Sequence, residues 1–214
     1  MMRVFLVRHG QTAWNEAGIA QGHTDIPLDA VGFAQADAVA AELSSTRIGR
    51  IITSDLLRAA QTAEPLGAAL KQPVEATTLL RERCFGDWEG LPYGEISAQF
   101  QAVALEVGSD VNLVRAPGGG ESFADLWDRL DGIVAELWDA RQNMVVITHG
   151  GTCAVLLARL LQASLATRQS FRLANGSITE LSRQHDFFRI YRYNDTRHLS
   201  AISKQIAQAE AASA

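Results

Sequence analysis

The 214-residue sequence predicts an α/β fold, a three-layer α/β/α sandwich around a mostly parallel sheet with an inserted lid region. Three observations carry the prediction. The apolar runs Met2–Val7 and Met144–Thr148 each end on polar residues, with a glycine close behind. Alanine-rich stretches with apolar residues at helical spacing fall between such runs. Residues 77–120 then break the alternation with Trp88, Gly90, Pro92 and Gly94, and close on Pro117-Gly118-Gly119-Gly120.

In chain order, Met2–Val7 reads as a buried strand with a loop at its C-terminal end. Leu28–Leu43 places Val31, Ala34, Ala38 and Leu43 at helical spacing, with Asp29 as N-cap. Ile48–Thr53 is a second strand and Asp55–Leu70 a second helix, in which Pro65 is expected to introduce a kink. A helix near Glu95–Val107 lies inside the insertion, and Glu121–Trp138 returns to helix. Met144–Thr148 is the third buried strand, followed by Gly150-Gly151 and a helix over Thr152–Leu161. Ser177–Leu181 and Phe187–Tyr193 read as strands joined by a turn around Gln184-His185-Asp186. The whole chain, 1–214, reads as a single domain: 77–120 is the lid, and the tail over 203–214 is expected to be frayed helix or disorder.

Composition narrows the chemistry. A formal net charge of −5 argues against a nucleic-acid partner, which calls for a basic face. An anion bound here must be held by a few local cations. Cys84 and Cys153 are far apart and in no metal-like spacing, which argues against zinc. Both read as free thiols of a reducing compartment, and the expected localisation is cytoplasmic. Val4–Val7 is too short for a signal core or a membrane span, so no membrane partner is expected.

Four segments carry the reactive side chains: Arg8-His9-Gly10-Gln11-Thr12 with Asn15, Ser54-Asp55-Leu56-Leu57-Arg58-Ala59-Ala60-Gln61-Thr62, Arg81-Glu82-Arg83, and Thr148-His149-Gly150. In a parallel sheet the strand ends that carry them converge on one edge. A phosphoryl group in transfer carries negative charge on three equatorial oxygens, so it needs cations and amide donors around it. Arg8 and Arg58 can each offer a bidentate guanidinium fork. A helix starting at Gly150 would aim backbone N–H groups at the same anion, and Asn15 can add a neutral donor. His9 supplies a nitrogen nucleophile, and His149 a second donor or cation. Glu82 is the candidate acid for the leaving oxygen, a role that calls for a pKa raised by burial and by the nearby phosphoryl charge.

In this order the four segments resemble the histidine phosphatase superfamily, also called the phosphoglycerate mutase-like family, over nearly the whole chain. Pro117-Gly118-Gly119-Gly120-Glu121-Ser122, Asn175-Gly176-Ser177 and Asn194-Asp195-Thr196-Arg197-His198-Leu199 look like its bacterial phosphatase branch. The resemblance implies a phosphohistidine intermediate on His9, phosphate held by Arg8, Arg58, His149 and Asn15, and proton donation by Glu82. It implies no metal and no cofactor. The partner is then a small-molecule phosphate ester whose identity stays open. Gln21-Gly22-His23-Thr24-Asp25 is expected at the rim, where Gln21 and Gly22 help select the substrate. A homodimer is left open.

The runner-up is a cofactor-dependent phosphoglycerate mutase with the same nucleophile. The mutases that resemble this chain carry a lysine where Tyr93 falls and an adjacent arginine pair further on. Residues 94–120 hold one cation, Arg115, with Arg83 as the only nearby replacement. That shortage favours water as the phosphoryl acceptor, and the near-neutral lid is compatible with a bulkier leaving group beside Tyr93, Phe85 or Trp88. Blander readings remain for several residues. Ser54 fits a helix cap, Glu121-Ser122 a helix start, Cys84 a packing role and His198 a structural hydrogen bond.

Overall fold

A computed structural model describes residues 2–202; the predicted tail lies outside them. Six strands form one sheet: β1 (Arg3–Arg8), β2 (Arg50–Ser54), β3 (Val74–Thr77), β4 (Met144–Thr148), β5 (Ile178–Arg183) and β6 (Phe188–Asp195), in the order β3-β2-β4-β1-β5-β6. The first four in that order are parallel; β5 runs antiparallel to β1, and β6 antiparallel to β5. The sheet is mixed with one reversed strand, as the expected mostly parallel architecture requires.

Its interior strands are apolar on both faces, and the two faces feed different cores. Val4 and Leu6 of β1, with Met144 and Val146 of β4, pack under α5 (Phe123–Arg129), α6 (Asp131–Asp139) and α7 (Gly150–Leu160). Phe5 and Val7, with Val145 and Ile147, pack under α2 (Ala30–Leu43) and α3 (Leu57–Leu70). Alternate side chains on a strand point to opposite faces, so each run feeds both layers at once. This explains the unbroken apolar character read in the sequence.

Asp29 caps α2 as predicted, accepting from Gly32 N–H at 2.7 Å. The predicted helix Glu121–Trp138 is two helices, broken at Leu130. Ser122 caps the first of them in a reciprocal box with Asp125. Helix α3 is continuous from Leu57 to Leu70 through Pro65. Strand β3 and the one-turn α1 (Ala13–Glu16) were not foreseen. Val74–Thr77 is a four-residue edge strand whose middle residues Glu75 and Ala76 are exposed, so it has no apolar run to announce it.

Within the remaining stretch, α4 (Tyr93–Val107) carries Ile96, Phe100 and Ala104 against Phe85, Val114 and Ala116. This is a third, separate apolar cluster, to which Ala20 also belongs. Among the described residues no helix is long and apolar enough to cross a membrane.

Candidate active site

Strands β1 and β4 are adjacent, parallel and in register, with Arg8 opposite Thr148. The residues that follow therefore leave the sheet side by side. His9 N–H donates to Thr148 O at 2.8 Å, and the His9 and His149 ring centroids are 5.0 Å apart. Strand β2 lies on the other side of β4, so α3 begins at the same edge and brings Arg58 in. Arg58 is 1% exposed, and its Nε donates to His149 Nδ1 at 3.2 Å.

These bonds fix two different tautomers. His9 Nδ1 lies 2.7 Å from Gly10 O, which can only accept, so Nδ1 holds the proton and Nε2 holds the lone pair. His149 Nδ1 faces an arginine N–H, which can only donate, so in the neutral ring the proton is on Nε2. That Nε2 is buried and has no partner among the described residues. An isolated buried donor is costly, and its presence marks a place for an acceptor. Burial and the neighbouring Arg58 and Arg8 hold His9 well below its ordinary pKa of 6.5. Burial, then Arg58 and His9, do the same to His149.

Arg8 leaves a second buried donor, its Nε, unpaired among the described residues, while Nη1 donates to Leu173 O at 2.6 Å. Arg58 departs from the expected free fork. Its terminal nitrogens donate to Thr24 O at 3.0 Å and Gly22 O at 2.8 Å, and Nε is committed to His149. Of five N–H groups, two are left for a ligand. The rim segment 21–25 is therefore anchored by Arg58. Gly22 has φ +51°, and a β-carbon there would fall 2.0 Å from Glu89 Oε1, so only glycine fits the turn. Gln21 is buried, with its side-chain oxygen unpartnered among the described residues.

Asn15 is held so that its amide nitrogen stays available. Its Oδ1 accepts from Thr12 N at 3.2 Å, Thr12 Oγ1 at 3.1 Å and Asn175 Nδ2 at 3.1 Å. Asn175 also donates to His9 O and Gly10 O, and so ties Asn15 to the His9 loop. Gly176 N–H donates to Arg8 O and His9 O, and His198 Nε2 donates to Gly176 O at 2.9 Å, the structural bond expected of it. Thr62 Oγ1 accepts from Gly10 N–H at 3.0 Å, and Gln61 Oε1 from Leu28 N–H at 2.9 Å. Ser54 Oγ accepts from Leu56 N–H at the entrance to α3. These residues hold the strand-end loops of the site against one another.

Glu82 is 8% exposed and meets the start of α7: Oε2 accepts from Gly151 N–H and Oε1 from Arg83 N–H, both at 2.9 Å. This corrects one expectation. The α7 amides were expected to face the phosphate, yet the Gly151 amide is taken by the carboxylate, because a helix N-terminus attracts whichever anion is near. A β-carbon on Gly151 would lie 2.5 Å from Glu82 Oε1, so the bare backbone permits the approach. The loop before Glu82 is anchored by Thr148 Oγ1 on Leu80 O, Thr152 Oγ1 on Arg81 O and Arg129 on Leu79 O and Arg81 O. His23 Nε2 donates to Glu82 O at 2.9 Å, and Arg129 Nη2 to the same oxygen at 3.1 Å. Cys84 packs here, its Sγ accepting from Gly86 N–H, and burial raises its thiol pKa.

A cavity of about 690 Å³ opens on this edge, lined by Arg8, Glu82 and Gly150 and covered by Phe85, Tyr93 and Phe100. The expected shortage of cations fails here. Arg115 pairs with Asp125 on the surface and does not line the cavity. Arg83, Arg168 and Arg172 do line it. The last two follow α7, outside the segment where the sequence showed a deficit. Arg168 and the supporting Arg129 went unassigned in the sequence reading, and Asn175 entered it only within a resembling motif, because each is placed by contacts distant in sequence. Asn175, for example, meets His9 across 166 positions.

The chain matches known proteins over most of its length. The family profile described as histidine phosphatase superfamily (branch 1) matches residues 4–196. A glucosyl-3-phosphoglycerate phosphatase of Mycolicibacterium vanbaalenii is 39% identical over 168 residues, 74% of each chain. A metal-independent phosphoserine phosphatase of Arabidopsis thaliana is 33% identical over 203 residues, 93% of this chain and 84% of its own. Among solved structures, a mycobacterial glucosyl-3-phosphoglycerate phosphatase complexed with VO3 superposes with a TM-score of 0.79 at 34% identity, covering 92% of this chain and all of its own. The chain belongs to the histidine phosphatase superfamily, branch 1.

Proposed function

We propose that the protein is a metal-independent phosphatase that hydrolyses small-molecule phosphate monoesters through a phosphohistidine on His9. The observation that carries the reading is the pair of opposed tautomers: a lone pair on His9 Nε2 beside an unpaired N–H on His149 Nε2. The first can attack phosphorus; the second can hold a phosphoryl oxygen.

In the first half-reaction the His9 Nε2–P bond forms while the ester P–O bond breaks. The leaving oxygen takes a proton from the Glu82 carboxyl group. Arg8, Arg58, Asn15 and His149 hold the three phosphoryl oxygens, and the backbone at Gly150 borders the same space. In the second half, Glu82 accepts a proton from water as the water oxygen attacks phosphorus and the P–N bond breaks. Residues 77–120 act as the lid, while Gln21 and Gly22, expected at the rim, are buried, with Gly22 O holding Arg58.

Water rather than a sugar acid is the final acceptor in this reading. The relatives reported above are named phosphatases. The test is a trap. Brief mixing with a 32P-labelled ester and denaturation should leave label on the wild-type chain, stable in alkali and released by acid. His9→Ala should keep its fold by circular dichroism yet carry no label and show no turnover. Turnover in the variant equal to wild type would refute the assignment of His9.

A further inference from the structure

Residues 81–85, which carry Glu82, belong to no helix or strand. Side chains from elsewhere hold this stretch by its backbone instead. Leu80 O accepts from Thr148 Oγ1 at 2.6 Å, and Arg81 O from Thr152 Oγ1 at 2.8 Å. Arg129 takes Leu79 O at 2.7 Å and Arg81 O at 3.0 Å through Nη1, and Glu82 O at 3.1 Å through Nη2. Its Nε and Nη2 also donate to Glu121 Oε1 and Oε2, at 2.7 and 2.9 Å. All five N–H groups of Arg129 are thereby engaged, so none is left for a ligand, unlike those of Arg58.

Glu121 grips the chain on the far side of the acid. Its Oε2 accepts from Cys84 N–H at 3.0 Å while its own N–H donates to Cys84 O at 2.9 Å, and His23 Nε2 stands 3.9 Å from the same carboxylate oxygen. The sequence marked Glu121-Ser122 as a helix start, but Ser122 and Asp125 alone form that cap, which leaves the Glu121 carboxylate for this second task. Arg129 ends α5, whose Leu126 is fully buried in the core, so the pair is mounted on a rigid element. The Pro117-Gly118-Gly119-Gly120 turn docks the approach to Glu121 on the same loop. Asp87 N–H donates to Pro117 O at 2.9 Å, and a β-carbon on Gly86, where φ is +52°, would fall 1.9 Å from that oxygen. Neither Glu121 nor Arg129 lines the cavity, so neither is placed to touch substrate.

We propose that Glu121 and Arg129 are positioning residues for proton transfer: one bidentate pair fixes the backbone on both sides of Glu82 and so sets where its carboxyl group meets the leaving oxygen. This rests on the phosphatase reading, in which Glu82 is the donor. A planar guanidinium can meet one carboxylate and three carbonyls at once, which an ammonium cannot. A displacement of about 1 Å in such a group is enough to cost on the order of 10²-fold in rate.

Phenyl phosphate and p-nitrophenyl phosphate share a ring and differ in how much the departing oxygen needs a proton. Their kcat/KM values report the reaction only up to that departure. Glu121→Gln keeps the shape and removes the charge; Arg129→Lys keeps the charge and removes the fork. Each should lower kcat/KM about tenfold or more for phenyl phosphate and less than about threefold for p-nitrophenyl phosphate. In a Glu82→Gln background, where the donor is already lost, each should cost less than about twofold on phenyl phosphate. Equal losses on both esters, an effect that persists undiminished in that background, or full activity on phenyl phosphate overturns the positioning role. If one variant fails to fold by circular dichroism, the other decides; if both fail, the pair holds the fold and not the acid, and the proposal falls. Glu82→Gln slowing both esters alike would remove the proton donor and the positioning role with it. No hydrolysis of either ester by the wild type would sink the phosphatase reading and everything that rests on it.

Discussion

Two buried neutral imidazoles make the stability of this fold depend on pH in a range where few other groups titrate. His9 and His149 are 3% and 0% exposed, and both are held well below the ordinary value of 6.5. In the unfolded chain both protonate as pH falls through 6.5; in the fold they do not until far lower. The unfolded state therefore binds more protons below 6.5, and stability contributed above that pH is lost as pH falls. At pH 5.5 each site costs about 1.4 kcal/mol, so the pair costs about 3 kcal/mol relative to pH 7.5. That is a large share of a typical stability of roughly 5–15 kcal/mol. Half-buried His198, also lowered, adds to the effect in the same direction. Urea unfolding at pH 7.5, 6.5 and 5.5 should show the midpoint falling by about 1 M or more across the range. The buffer must not be phosphate, which would stabilise the native state by binding the site. His149→Asn should remove about half of the dependence. A midpoint that stays constant from 7.5 to 5.5 would show that both rings protonate freely in the fold, and the argument for a neutral His9 nucleophile would fall with it.

Two further outcomes follow from contacts at the site. Glu82→Gln should slow esters with basic alkoxide leaving groups by about 10²–10⁴-fold, and p-nitrophenyl phosphate much less, because p-nitrophenolate departs without a proton; equal losses on both in steady-state assays would remove Glu82 from proton donation. Gly32→Ala would bring a β-carbon to 2.1 Å from Gln11 O, where only backbone can yield, so about 1–3 kcal/mol of stability should be lost in urea titrations, with weakened activity as the His9 loop shifts. Full stability in the variant would show that α2 does not buttress that loop.

The fold was legible where a local rule and the tertiary environment agree. Met144–Thr148 is a strand at its predicted bounds because all five residues are buried, leaving no competing pattern. Asp29 caps α2 because an aspartate before an alanine-rich run has one good use for its carboxylate. The break at Leu130 was hidden because apolar residues continue on both sides, and the nearby Gly132 lies inside α6. The phosphate end of the site was legible because its residues follow strands in short motifs, and parallel neighbours bring strand ends together. The other end was not. Arg83 looked like a spare cation, and Arg168 and Arg172 lay beyond the segment where a charge count seemed decisive. A count along the chain measures sequence distance, whereas the cavity gathers side chains from α4, α5 and the stretch after α7.

The two histidines show where sequence reasoning necessarily ends. Each follows a buried strand and precedes a glycine, so their local sequences are alike. Their roles are set by single bonds at Nδ1, a carbonyl acceptor for His9 and an arginine donor for His149. Exchange those partners and the lone pair and the N–H at Nε2 would exchange as well, leaving His149 as the base-like nitrogen and His9 as the donor. The same Arg58 that orients His149 is the main charge lowering both rings. Burial first, and its field second, keep His9 unprotonated, as the proposed nucleophilic role requires. In the proposed reaction a phosphoryl dianion entering between the rings accepts from the His149 Nε2–H, which the Arg58 bond at Nδ1 already directs. Burial and one guanidinium thus keep His9 neutral, as the proposed nucleophile must be, and the same guanidinium fixes the neutral tautomer that makes His149 the donor.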